Sequence, residues 1–113
     1  MAQSPTSRSL SYCRERAWLV DVAEKTIPHS HRKRDLFGFI DIVVIADDTL
    51  LAVQVTSSSN HSARVKKIKN ECYVAADAWN RAGGQVEVWS WRKTKKRNAD
   101  GRWWKLRREK VTL

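Results

Sequence analysis

The sequence predicts an α/β fold in which helices flank a mixed central sheet. Two nearly continuous apolar runs, residues 39–46 and 50–56, are typical of strands that are covered on both faces. Apolar residues then recur at helical spacing, and residues 85–92 return to the alternation of a strand. This order of strands and helix favours a mixed sheet, and 113 residues are the usual size of a single domain.

The other elements are predicted from local patterns around the two apolar runs. Before the runs we expect, in chain order, a loose tail (1–8), a short helix (9–17), a strand (18–23) and a basic loop (26–34). After them we expect one long helix, from Asn60 or His61 to about Ala82, capped by Asn60 or Ser62 and ended by Gly83-Gly84. A turn at 98–101 and a returning strand at 102–106 complete a basic C-terminal hairpin, residues 93–113. The predicted order is α-β-β-β-α-β plus this hairpin.

Asp47-Asp48 separates the two apolar runs and predicts both a tight turn and the register of the strands beside it. If these two residues form the loop, the residue numbers of antiparallel partners sum to 95. Asp41 then lies directly opposite Gln54, with β-carbons roughly 5 Å apart. Thr56 lies on the same face, because side chains along a strand alternate with a period of two.

Asp41 is the most unusual residue of this hairpin, because its neighbours are apolar. Burying an isolated carboxylate costs several kcal/mol unless it is neutralised, paired or bound to a cation. Asp41 and Gln54 converging from adjacent strands would begin an oxygen-ligand site for Mg²⁺. A buried Asp41–Gln54 hydrogen bond and a salt bridge from Asp41 to a nearby arginine are the structural alternatives.

The charge of the chain favours a polyanionic partner. The formal net charge is +10, and residues 91–110 carry ten basic against two acidic residues, which is +8 of that total. In and directly before this segment, four tryptophans interleave with Arg and Lys, a pattern of nucleic-acid surfaces: Trp89, Trp91, Trp103 and Trp104. A solvated basic face is the alternative, and an acidic membrane surface is disfavoured because the segment has no amphipathic helical period. No apolar stretch approaches a membrane span, and two cysteines offer no disulfide framework, so we expect a cytoplasmic protein.

Two runs of the chain carry a resemblance to a known family. They are Arg34-Asp35-Leu36-Phe37-Gly38-Phe39-Ile40-Asp41 and Leu51-Ala52-Val53-Gln54-Val55-Thr56-Ser57. In this order they resemble the core of the PD-(D/E)XK nuclease superfamily. Within that superfamily they are most similar to small Holliday-junction-resolvase-like and phage-type nucleases. The resemblance covers roughly residues 18–92 and depends on strand–helix order as much as on the short motif. It implies a restriction-endonuclease-like αβββαβ core and a metal-dependent endonuclease that hydrolyses DNA phosphodiester bonds with Mg²⁺ or Mn²⁺, in phage or bacterial DNA processing. A resolvase-like role further implies a homodimer.

The resemblance also implies roles for individual residues. Asp41 would ligate the metal, Gln54 would do so through its side-chain carbonyl, and the backbone carbonyl of Val55 would complete the set. Two positions depart from the family pattern, because Gln54 replaces an acid and Thr56 replaces a lysine. Glu24, or instead Asp35, would restore the carboxylate, although Asp35 could equally pair with Arg32 or Arg34. Lys67 would supply the cation, with Lys66 and Arg64 as alternatives.

We expect nucleic acid to contact basic residues of the central loop, the long helix and the C-terminal segment, which are Arg32, Lys33, Arg34, Arg64, Lys66, Lys93, Lys95, Lys96 and Arg97. The alternative function is a non-catalytic DNA- or RNA-binding module on a degenerate nuclease scaffold. Gln54 and Thr56 favour that alternative, whereas Asp41 in its apolar strand favours the enzyme.

Overall fold

The computed structural model describes residues 3–30, 32–95 and 103–113. The elements within these ranges are, in chain order, α1 (Pro5–Glu15), β1 (Leu19–Val22), β2 (Lys25–Thr26), β3 (Lys33–Arg34), β4 (Ile42–Ala46), β5 (Thr49–Ser57), a 3₁₀ turn (Ser58–Asn60), α2 (His61–Asn70), α3 (Tyr73–Arg81), β6 (Gln85–Lys93) and β7 (Trp104–Lys110). Of the helices in these ranges, none has the length and apolar character needed to cross a membrane.

The main sheet has five strands in the order β1-β4-β5-β6-β7. Strands β5 and β6 are parallel, and every other neighbouring pair is antiparallel. The chain returns from β5 to β6 through α2 and α3, as a parallel connection requires. The predicted α/β class with a mixed sheet is therefore confirmed, and β2 and β3 form a separate two-stranded ribbon at the two ends of the predicted basic loop.

Each face of the main sheet packs against a different helical layer, so the strands are covered on both sides as their apolar sequences predict. On one face Val44, Val53 and Trp89 pack in a buried cluster with Cys13 of α1. On the other face Ala52, Val86 and Val88 pack with Val65 and Ile68 of α2 and Ala76 of α3. By strand alternation, Gln54 and Thr56 lie on the α2–α3 face together with Ala52.

Several predicted boundaries at the N-terminal side are wrong. Helix α1 begins at Pro5, so residues 5–8 belong to the helix and not to a tail; the Ser4 hydroxyl caps it by accepting from the Ser7 amide. Strand β4 begins at Ile42 instead of at residue 39, because the chain is still turning through Phe37 and Gly38, which both have positive φ. The apolar pattern could not distinguish this buried turn from a strand.

The predicted long helix is wrong, because it divides into α2 and α3 at Glu71-Cys72. The amides of Glu71 and Cys72 both donate to the carbonyl of Lys67, which widens the last turn of α2. Neither Asn60 nor Ser62 caps α2 through its side chain in the described structure. Gly83 ends α3 with a φ of 101° as predicted, and Gly84 follows because a β-carbon there would clash with the indole of Trp79.

The C-terminal hairpin is part of the main sheet. Strand β7 runs over Trp104–Lys110, further than the predicted 102–106, and pairs with β6 along seven residues. It is the edge strand of the sheet and not an appended extension. The predicted turn at 98–101 and Arg102 lie outside the described residues.

Candidate metal site

Three carboxylates from separate parts of the chain converge beside the β4–β5 hairpin. Ligand oxygens of Glu24, Asp35 and Asp41 all lie within 4.8 Å of one another. We call these three residues the acid cluster. Glu24 follows β1, Asp35 follows β3 and Asp41 precedes β4, so the turns around one end of the hairpin bring them together. Such a set of oxygen ligands could hold a metal ion.

The hairpin register positions Asp41 as predicted. Ile42 pairs with Val53 and Ala46 with Thr49, so partner numbers sum to 95, and the Asp41 amide donates to the Val53 carbonyl at 2.9 Å. The Asp47-Asp48 turn that sets this register has a φ of 56° at Asp47. On the other side, the Asp41 carbonyl accepts from Ala23 at 2.8 Å. Backbone bonds to both neighbouring segments therefore hold Asp41 in place.

A tight loop brings Asp35 to Asp41. The Leu36 amide donates to the Ile40 carbonyl and the Ile40 amide to the Leu36 carbonyl, which closes a loop over residues 36–40. Because its two ends are adjacent, Asp35 and Asp41 leave the loop side by side. Phe39 and Ile40 of this loop are fully buried in the core and anchor it. The expected pairing of Asp35 with Arg32 or Arg34 is not among the ion pairs of the described residues.

The close carboxylates perturb Asp41. Burial, a hydrogen bond to Asp35 and the charges of Asp35 and Glu24 raise the pKa of Asp41 to about 7, against the opposing effect of the hydrogen bond from the Val55 amide. That amide donates to Asp41 Oδ2 at 2.7 Å. A proton on Asp41 therefore reduces the repulsion among the three carboxylates, and a bound cation would reduce it in the same way.

Gln54 lies next to the acid cluster and is incompletely hydrogen-bonded. Its side chain is 2% exposed, and its Nε2 donates to Asp35 Oδ2 at 3.4 Å. Its Oε1 is buried and has no hydrogen-bond partner among the described residues. The two structural alternatives, an Asp41–Gln54 hydrogen bond and an arginine paired with Asp41, are absent from the described contacts. An unpartnered buried amide oxygen beside three carboxylates fits a metal-ligating role.

The structure locates the other predicted site residues as follows. Thr56 is buried on the same face as Gln54, two residues along β5. The contact that Val55 makes with the cluster is through its amide, so the role of its carbonyl stays a prediction. On α2, Lys66 is exposed and Arg64 and Lys67 are half-buried, and in the described part of the chain none of them forms an ion pair.

Among the described residues, the cation nearest to the acid cluster comes instead from the β2–β3 ribbon. Lys33 Nζ lies 3.8 Å from Glu24 Oε2, and the Lys33 side chain is 71% exposed. Lys33 was predicted only as a nucleic-acid contact. Strand β3 pairs with β2, which directly follows Glu24, so the ribbon brings the two residues together. Because several basic residues are adjacent in this loop, the sequence did not indicate which of them lies next to the acid cluster.

The remaining predicted nucleic-acid contacts are solvent-accessible where they are described. Arg32, Arg34, Lys93 and Lys95 are exposed, whereas Lys96 and Arg97 lie outside the described residues. Trp89 and Trp91 are packed against α1 and not presented to solvent, since both are buried and the Trp91 indole donates to Ser9 Oγ at 2.9 Å. Trp103 is 43% exposed.

A second polar cluster on the same sheet face was missed by sequence reasoning. His61, predicted near the helix start, is 1% exposed and lies 2.7 Å from Ser90 Oγ through Nδ1 and 3.0 Å from Glu109 Oε1 through Nε2. Because a carboxylate only accepts, Nε2 carries the hydrogen of the Glu109 contact, and Nδ1 shares a hydrogen bond with the Ser90 hydroxyl. Arg107 also donates to Glu109 at 3.1 Å. We call these four residues the histidine cluster.

Comparison with known proteins gives no match: no family model matches the chain, and neither the curated proteins nor the solved structures contain a match. The chemistry of the acid cluster therefore carries the functional interpretation.

Proposed function

We propose that this protein is a metal-dependent nuclease that hydrolyses phosphodiester bonds in DNA, with the acid cluster as its metal site. The observation that carries the proposal is the convergence of Glu24, Asp35 and Asp41 beside the buried, unpartnered Oε1 of Gln54. Hard divalent cations such as Mg²⁺ and Mn²⁺ take carboxylate and amide oxygens as ligands. Three carboxylates also supply the negative charge that Gln54 lacks at the acidic position of the motif.

The element order supports the resemblance to PD-(D/E)XK nucleases. A helix, three antiparallel strands, a helical crossover and a parallel strand follow one another as α1, β1, β4, β5, α2–α3 and β6. Asp41 directly precedes the second of these strands and Gln54 lies within the third. The insertion of the β2–β3 ribbon between β1 and β4 contributes Asp35 and Lys33 at the site.

The residues of the chain would divide the work as follows. Glu24, Asp35, Asp41 and Gln54 would hold the ion, and the Val55 amide would fix the orientation of the Asp41 carboxylate. When bound, the ion would lower the pKa of a coordinated water and neutralise charge on the scissile phosphate. Lys33 would supply the positive charge that Thr56 does not, because its ammonium lies beside Glu24 on an exposed side chain.

The test is a cleavage assay of the purified protein on single-stranded, duplex and four-way-junction DNA, with Mg²⁺, with Mn²⁺ or with EDTA. We expect cutting that requires the metal and is lost in Asp41→Asn, which removes one charge and keeps the side-chain shape. Asp77→Asn, an acid on α3 paired with Arg81 away from the site, is the matched control and should cut normally. The preferred DNA would identify the substrate structure.

A non-catalytic nucleic-acid-binding module is the second candidate function. It is favoured by Gln54 and Thr56, which replace the acid and the lysine of the motif. Tight DNA binding with no cutting in either metal, for wild type and Asp77→Asn alike, would establish this module and refute the nuclease.

A further inference from the structure

A cavity of about 340 Å³ lies at the β6–β7 side of the sheet face that carries the acid cluster. It is lined by two serines, three cations and one leucine: Ser58, Ser90, Arg92, Lys105, Arg107 and Leu106. We call it the cationic pocket. Of the described residues, no carboxylate lines it.

The strand registers show how the pocket is built. Thr56 pairs with Ser90 and Ser90 with Arg107, so these three residues form one row across β5, β6 and β7. Arg92 pairs with Lys105 in the next row, and Ser58 follows the end of β5. Ser90, Arg92, Lys105 and Arg107 therefore share one face at the carboxyl ends of the parallel strands, where open α/β sheets bind ligands.

The floor of the pocket is fixed by the histidine cluster. Ser90 is 1% exposed and is held by His61, while Glu109 holds both His61 and Arg107. The three cations extend from this floor into solvent; the Arg107 side chain is 62% exposed. A rim of guanidinium and ammonium donors above a fixed polar floor suits a phosphate group.

The position of the pocket relative to the acid cluster indicates which phosphate it would bind. Ser90 lies two strands across from Asp41 and two residues further along. With strands about 4.8 Å apart and a rise of about 3.3 Å per residue, the separation is roughly 12 Å. One nucleic-acid strand carries a phosphate for about every 3.4 Å of helix axis, so a strand lying along this end of the sheet would reach both places within a few nucleotides.

We propose that the cationic pocket binds a backbone phosphate of the same strand whose phosphodiester bond lies at the acid cluster. The inference rests on the proposed function, since it names a second contact of the same substrate. Arg92, Lys105 and Arg107 are the phosphate ligands, and His61 and Glu109 are positioning residues. None of the three ligands is part of the acid cluster, so the pocket can be altered separately.

The experiment compares two double variants that each remove two positive charges. Arg92→Gln/Lys105→Gln alters the pocket, whereas Arg14→Gln/Lys110→Gln removes charges from the last turn of α1 and the opposite face of β7. Binding of duplex DNA is measured by fluorescence anisotropy across a salt series in EDTA, which keeps cleavage out of the measurement. Orthophosphate is titrated separately, with the amides of Ser58 and Ser90 followed by NMR.

We expect the pocket variant to bind DNA about 10- to 100-fold more weakly at low salt and to lower the salt slope by up to about 0.9, for the one phosphate contact that the pocket makes. The control should change the slope by far less. Equal losses of DNA affinity in the two double variants would mean that the effect depends on net charge alone, and would refute the proposed pocket. If orthophosphate shifts the NMR signal of the Ser90 amide but the pocket variant binds DNA like wild type, the pocket is a site for free phosphate. That result would refute the contact with a nucleic-acid strand.

The design separates failure of the pocket from failure of the proposed function. A protein that binds DNA through the pocket in EDTA but never cuts with Mg²⁺ or Mn²⁺ refutes the nuclease and leaves the pocket standing. A protein that cuts, and whose pocket variant binds DNA like wild type, refutes the pocket alone. A wild type that binds no DNA refutes both.

Discussion

The acid cluster and the histidine cluster lie on one face of one sheet and differ in how completely their polar groups are paired. In the histidine cluster both ring nitrogens of His61 have partners, and Glu109 is shared with Arg107. In the acid cluster three carboxylates face one another, the nearest cation is 3.8 Å from Glu24, and Gln54 Oε1 has no partner among the described residues.

The difference indicates separate roles for the two clusters. A polar network built on a buried histidine with both ring nitrogens paired rigidifies the elements that it joins, here α2, β6 and β7. A cluster with excess like charge and an unsatisfied oxygen is stabilised only when something binds to it. We therefore expect substitutions of His61 to affect folding and those in the acid cluster to affect metal binding and catalysis.

The largest expected effect is on the rate of cleavage. It is measured on two variants, one for each cluster, and each variant neutralises one carboxylate. Asp35→Asn should slow single-turnover cleavage with Mg²⁺ by at least roughly a hundredfold, or about 2.7 kcal/mol of barrier, because it removes a metal ligand. Glu109→Gln keeps an acceptor for His61 and, at protein concentrations that saturate the DNA, should stay within about fivefold of the wild-type cleavage rate. Similar losses in both variants would show that the clusters do not have separate roles.

A smaller effect is expected on stability. His61→Ala should lower the free energy of unfolding by about 2–4 kcal/mol, since it leaves a cavity and removes the partner of Ser90 and of Glu109. Urea unfolding in EDTA at pH 8 measures it. Asp41→Asn, measured beside it, should be as stable as wild type or more stable. A destabilised Asp41→Asn would indicate that Asp41 has a structural role.

Metal affinity should respond to the charge at position 54. Gln54→Glu should tighten Mg²⁺ binding about tenfold, because it adds a carboxylate where the amide oxygen has no partner. Isothermal calorimetry measures the affinity, and Gln85→Glu, with the same charge change at the start of β6, is the control. An unchanged affinity in Gln54→Glu would remove Gln54 from the ligand set.

The smallest expected effect is on the pH dependence of stability without metal. The pKa of Asp41 is about 7 in the folded protein against an ordinary 3.8, so between these values the folded state holds a proton that the unfolded state has released. The contribution of Asp41 to stability is therefore present below pH 3.8 and is lost as pH rises through 7.

In EDTA, the melting temperature of wild type should fall between pH 5 and pH 8 by roughly 5 °C more than that of Asp41→Asn. Stabilisation by Mg²⁺ should grow over the same range, because the metal competes with the proton. Parallel pH curves for the two proteins would mean that the carboxyl titrates at its ordinary pKa.

The sequence by itself determined the parts of this protein that depend on neighbouring residues. The turn at Asp47-Asp48 and the period-two alternation of its strands set the Asp41–Gln54 register, and the apolar runs determined the mixed sheet with helices on both faces. Local patterns failed at the buried turn before Ile42 and at the break between α2 and α3, because an apolar residue in either has the same sequence signature as one in a regular element.

Only the tertiary structure decided which polar residues meet. Asp35 and Glu24 were alternatives for one missing carboxylate, and the fold places both beside Asp41. Lys33 reaches the acids through a ribbon of two-residue strands, too short to leave a pattern. His61 is 29 residues from Ser90 and 48 from Glu109, so their contact depends on the packing of α2 over the sheet. Hydrophobic periodicity specifies which faces are buried, whereas the meeting of polar side chains from distant segments follows from how those faces pack.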